Sequence, residues 1–261
     1  MEFATPEPVT LVIKVPSGTI DVTADKVTTS EVELLPDNPD DEAARRLVDG
    51  ATIALKGREL VVEVPQKLRL FRFPRLSLRV TVPLDSTVRA SIASAEMRTT
   101  GQLGGLEVKA ASGDVAIDRV VGRCVVHTAS GEVGIGSVEG DGSVHTASGD
   151  IGIRALNGTC EVRAASGDVG IEALTGSLNC HTASGNVQIG AMDQGEVKVS
   201  TGSGDVQIGV RRGAHAWLDL NTGSGTVGSN LDTAGEPPSG TPDVSIRANT
   251  GSGDILLTRA G

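Results

Sequence analysis

Thr146-Ala147-Ser148-Gly149-Asp150-Ile151 is the stretch whose reading decides the fold. Close copies of it place glycines at Gly113, Gly131, Gly149, Gly167 and Gly185, each 18 residues after the last, and with wider spacing at Gly204, Gly225 and Gly253. A fixed period of this length means that one supersecondary unit is copied and stacked, since a single copy cannot bury its own apolar face. Within one copy, Cys160, Val162 and Ala164 occupy alternate positions, as in a half-buried strand. Val169 and Ile171 alternate again but in the opposite parity, so the chain turns at Ser166-Gly167-Asp168. Leu174 fills a further corner before a second turn at Gly176.

Placed in register, the copies form columns. Val115, Val133, Ile151, Val169, Val187 and Val206 make one inward aliphatic ladder, and Ile117, Ile135, Ile153, Ile171, Ile189 and Ile208 a second. Ser112, Ser130, Ser148, Ser166, Ser184 and Ser203 line the turn, and each following glycine supplies the positive φ of a tight corner. The pattern predicts an all-β chain, a parallel β-solenoid (β-helix) of ~18-residue rungs, right-handed by the general preference of parallel crossovers. It has a small β-rich N-terminal cap with one short helix.

Working outward, residues 1–87 do not follow the beat and form the predicted cap, whereas residues 88–261 carry the rungs. Ser17-Gly18-Thr19-Ile20-Asp21-Val22 nonetheless matches the repeated phrase and reads as an early rung. Glu31 to Leu35 is a strand, Glu42 to Val48 a helix begun by acidic Asp40 and Asp41, and Thr52 to Leu55 with Glu59 to Val64 a hairpin. A loop over 232–242, rich in Pro and Gly, precedes a last rung at Val244 to Leu257.

The composition restricts function. There are 34 glycines in 261 residues, nearly twice the usual ~7%, and aromatic residues make up 2% with no tyrosine. A net charge of −10 argues against nucleic acid as a partner, because phosphate binding needs clustered cations. No secretory leader or apolar stretch of membrane-spanning length is visible, which leads to an expectation of a soluble, cytoplasmic chain. Cys124, Cys160 and Cys180 are too few for a disulfide framework and read as small buried hydrophobes.

Between Glu63 and Asp85 there is no carboxylate, and Lys67, Arg69, Arg72, Arg75 and Arg79 lie among Phe71, Phe73 and several leucines. One reading is a docking loop for an anionic surface, including peripheral contact with an envelope. The other is a hairpin that covers the first rung while its arginines stay solvated.

Two outward columns bear titratable groups. Lys109, His127, His145, Arg163, His181 and Lys198 share one, and His127 with His145 offers two ligands for zinc. Asp114, Glu132, Asp150, Asp168, Asn186, Asp205 and Asp254 share the other, where Asp150 and Asp168 offer oxygens to calcium. The plainer reading of both is a solvated polar face with turn-capping aspartates, so no metal or cofactor is assigned. No nucleophile elbow, zinc-binding helix motif or phosphate-binding loop is present, and the chain reads as no enzyme.

Val82-Pro83-Leu84-Asp85-Ser86-Thr87-Val88, Leu103-Gly104 and the repeated Ala/Thr-Ala-Ser-Gly-Asp-Val-x-Ile resemble the bacterial family DUF4097, described as candidate adhesins or β-strand repeat proteins. The resemblance covers most of the chain and is strongest over 76–208. It implies a β-solenoid behind a β-rich N-terminal segment and an adhesin-like role, some relatives belonging to envelope-stress systems, with no catalytic residues to carry over. The expected function is a non-enzymatic scaffold that presents regular faces to a protein partner or to itself. Alternatives are a polysaccharide-binding or polysaccharide-cleaving β-helix, disfavoured by the shortage of aromatic stacking surface, and recruitment to an anionic envelope surface through the basic loop.

Overall fold

Thr10–Asp25 is the strand on which the N-terminal part of the chain is assembled. The computed structural model describes residues 1–65, 74–231 and 242–260. They comprise 21 strands and one helix, in two compact units, Met1–Gly134 and Ile135–Gly261.

In the first unit, Thr10–Asp25 lies parallel to Thr87–Thr100 from Thr10↔Thr87 to Thr23↔Thr100. The early phrase at Ser17-Gly18 is thus a true rung. Two shorter strands share its other edge: Glu59–Glu63 runs parallel to its first half and Leu76–Pro83 to its second. Antiparallel strands finish that end, Thr29–Pro36 on Leu76–Pro83 and Thr52–Lys56 on Glu59–Glu63. The helix, Glu42–Asp49, buries Ala44 and Leu47, and its first amides at Ala43 and Ala44 donate to the Asp41 carboxylate at 2.9 and 3.1 Å. That is the side-chain cap expected of Asp before a helix.

Single strands here serve two faces. Thr87–Thr100 sets residues 87–94 against Gly105–Ser112 and then sets Met97 and Arg98 against Val115–Val120. The chain as a whole contains a closed seven-strand parallel barrel with further strands outside it. The fold is therefore all-β and solenoid-like, which corrects the expectation of a plain solenoid.

In the second unit the 18-residue offset is explicit. Ile151–Ser166 pairs with Val169–Ser184 from Ile151↔Val169 to Ser166↔Ser184. Val169, Val187, Val206 and Ile255 stack as one buried column and Ile171, Ile189, Ile208 and Leu257 as the next. Each such side chain contributes roughly 1.5–3 kcal/mol by leaving water, which is how a core almost without rings is filled. At the corner, Gly167 has φ +126°, and a Cβ there would stand 2.3 Å from the carbonyl oxygen of Gly149. Only glycine allows the rungs to approach this closely.

Two expectations about register are overturned. The pairing of Val169–Ser184 with Val187–Ser203 shifts between Leu174 and Thr175, so His181 stands opposite Ser200 and Lys198 opposite Asn179. Lys198 still points outward, since two residues preserve parity, but it leaves the histidine column. The second correction concerns order. Val244–Ser252 pairs on one side with residues 195–203 and on the other with Ala216–Ser224, and Ile255–Ala260 likewise lies between Val206–Arg211 and Val227–Ser229. The C-terminal strands are inserted between two earlier ones, and Val244 to Leu257 is not the last rung. Ala216–Ser229 takes the outer place, where its side chains suit exposure: Val227 is 47% exposed, although its counterpart Ile255 is fully buried.

Candidate functional site

Outward side chains of the first unit form a row that the register fixes. Glu33 faces Arg79, Arg79 faces Asp21, and Asp21 faces Arg98. Signs alternate along it because each residue belongs to a different strand of one exposed face. For the antiparallel pair of Glu33 and Arg79, such opposite charges contribute ~0.2–1 kcal/mol. Arg79 Nη1 lies 3.1 Å from Glu33 Oε2, whereas Arg98 makes no ion pair among the described residues.

Two grooves meet at Arg79. One of about 340 Å³ is lined by Thr19, Asp21, Asp37, Ser77, Arg79, Glu96, Arg98 and Asp114 together with Met97 and Ala116. The other, also about 340 Å³, is lined by Glu2, Glu31, Glu33, Arg79 and Thr81 together with Met1 and Val32. These volumes fall at the small end of ligand clefts, but the lining is charged rather than apolar. The chemistry on offer is salt-bridge exchange and hydrogen bonding to a polar partner.

The sequence match accords with this repeated strand architecture. Residues 8–258 match the family described as Toastrack DUF4097. The chain belongs to the DUF4097 (Toastrack) family. A candidate adhesin from Bacteroides fragilis is 11% identical to this Toastrack chain, with 98% of this chain and 95% of that one covered and a TM-score of 0.48. A candidate adhesin from Parabacteroides merdae is 9% identical over 99% of this chain and 95% of that one, with a TM-score of 0.37. A candidate lipid-binding protein from Parabacteroides distasonis is 12% identical over 99% and 96%, also with a TM-score of 0.37. Comparison with curated proteins finds no match.

Of the basic segment of the Toastrack chain, Lys67, Arg69, Phe71, Arg72 and Phe73 lie outside the described residues. Arg75 and Arg79 are placed, and each is engaged by a carboxylate: Arg75 Nε is 3.4 Å from Asp37 Oδ2, and Arg79 pairs with Glu33.

The acidic column has a definite structural task. Asp150 accepts the amide N–H of Asp168 at 2.8 Å, Asp168 that of Asn186 at 2.7 Å, Asn186 that of Asp205 at 2.9 Å and Asp205 that of Asp254 at 2.8 Å. Asp114 does the same for Glu132 at 2.9 Å. Every carboxylate oxygen so used ties one corner to the next. On the inserted rung, Asp254 accepts from both the amide and the hydroxyl of Thr226 on the outer one, which hold its carboxyl below the usual carboxylate range.

In the histidine column, His127 stands opposite Lys109, and His145 opposite Arg163. His145 Nε2 lies 3.3 Å from Ser143 Oγ and 3.8 Å from Glu161 Oε2. No three His, Cys, Asp or Glu residues converge on a metal-sized site among the described residues. Cys160 and Cys180 are buried thiols pushed up to about 12 by burial first, with Glu161 and Cys160 respectively adding to the effect. They are inert at neutral pH. No helix among the described residues is long and apolar enough to cross a membrane.

Sequence reasoning missed Arg98, and it missed Trp217, Asp219 and Arg247, which come together on the outer strands of the second unit. The available signal was that Trp217 is the one tryptophan of the chain. Its partner, Arg247, was hidden by the inserted order of the strands.

Proposed function

We propose that this Toastrack chain is a non-enzymatic interaction protein, a solenoid-like β scaffold whose charged outward faces are read by a protein partner. The observation that carries this reading is the alternating row Glu33–Arg79–Asp21–Arg98 lying along the grooves that meet at Arg79. Charges fixed at strand spacing, ~4.8 Å apart, favour a partner with the complementary order and reject one out of step. Rigidity of the sheet means that little ordering is needed on this side of the complex.

The test is capture of partners from the native cell by the wild-type chain and by Arg79→Glu/Arg98→Glu, with Lys198→Glu in the second unit as a control. A partner held by wild type and by Lys198→Glu, and lost from the double variant, supports the row as the reading surface. Equal recovery by all three chains rules it out.

A second reading, recruitment to an anionic surface, rests on the run without a carboxylate between Glu63 and Asp85. The pairing of Arg75 and Arg79 with Asp37 and Glu33 reduces the positive charge left for it. Sedimentation with vesicles of acidic lipid separates the two readings, since the protein-partner reading expects the chain to stay in the supernatant.

A further inference from the structure

Trp217 is 46% exposed, on the outward side of Ala216–Ser224, and it is the one aromatic ring among the exposed large apolar side chains of the described residues. Arg247 lies over its ring, 5.7 Å from the centroid, and Arg247 Nε donates to Asp219 Oδ2 at 2.9 Å. The carboxylate fixes the guanidinium through Nε and leaves the terminal N–H groups directed elsewhere. The guanidinium thus sits over one face of the indole while pairing with Asp219 across neighbouring strands, with Trp217 opposite Ser245 and Asp219 opposite Arg247.

Charge on this face is balanced. Arg247 is matched by Asp219, and the adjoining Lys198 is matched by Glu196 at 2.9 Å. A polyanion or polycation finds no excess of opposite charge here to draw it in. A purely apolar ligand would leave the guanidinium and carboxylate desolvated without exchange of hydrogen bonds. One ring among polar groups is also unlike the apolar, aromatic-rich centre of a protein interface. What fits is a neutral molecule that is apolar on one side and rich in hydroxyls at its rim: its C–H face lies on the indole, and adjacent hydroxyls bond the carboxylate and guanidinium. We infer that Trp217, Asp219 and Arg247 form a binding platform for a neutral saccharide. The platform lies wholly within the second unit and does not depend on the Arg79 row.

With one tryptophan and no tyrosine in the chain, intrinsic fluorescence reports on this site alone. The full chain is titrated with neutral oligosaccharides of glucose, mannose and N-acetylglucosamine to about 10 mM, enough to saturate a site with Kd of about 1 mM. A saturable change in emission with at least one of them is expected. Asp219→Ala and Arg247→Ala should each weaken it about tenfold or more, with thermal melting used to confirm that both variants are folded. No saturable change with any neutral sugar overturns the platform, as does unaltered affinity in both folded variants. Saturable binding of oligogalacturonate alone overturns the neutral class.

Discussion

At the corner, the decisive atom is the one that glycine lacks. With φ at +126° and a backbone oxygen 2.3 Å from the position of a Cβ, Gly167 cannot be replaced without moving a rung. Gly167→Ala is expected to lose about 2 kcal/mol or more, read as a lower midpoint in urea unfolding; an unchanged midpoint would contradict the corner geometry. The neighbouring carboxylates give a pH-dependent counterpart. Asp254 has a depressed pKa in the folded state, so its contribution is present above the unfolded value, near ~4, and is lost as pH falls through the folded value. Asn at this place keeps the acceptor without the titration, as Asn186 already does naturally. Melting temperature should therefore fall less between about pH 7 and pH 3 in Asp254→Asn than in wild type.

Among elements, the strand Ile151–Ser166 breaks one of its own columns. In register, Thr146, Ala164, Thr182 and Thr201 stand in line, and Thr201 donates to the Ser203 carbonyl at 3.2 Å. Alanine is the weak member, with lower strand propensity and no hydroxyl to set between Thr146 and Thr182. Ala164→Thr is expected to stabilise by up to about 1 kcal/mol, measured as a raised urea midpoint. Elements of this kind were legible in the sequence because period and parity fix which side chains face inward: the Val169 and Ile171 columns and the helix behind Asp41 could be read directly. Lys198 was misplaced because the register shift at Leu174 makes the offset 19 beyond it, as Thr175↔Gln194 records. Arg98 went unnoticed because its neighbours, Asp21 and Arg79, are far away in the chain and only the parallel register brings them beside it.

On the largest scale, the order of strands in the second unit departs from the order of the chain. Sequence could give the phrase at Gly225 and at Gly253 but not which lies outermost, since a long connection permits either. The outer strands pair with the C-terminal ones alone among the described residues. A chain ending at residue 243 should therefore expose 216–229 to protease and to rapid amide exchange while 151–203 stays protected; continued protection of 216–229 would refute the inserted order. During synthesis the consequence is one of timing. Strands up to Arg211 can zip onto their predecessors as they emerge, yet 216–229 must wait, unpaired, until 244–260 arrive and slide in as a keystone. Arrival of 244–260, rather than stepwise growth of the stack, thus sets the moment at which the outer strands lock.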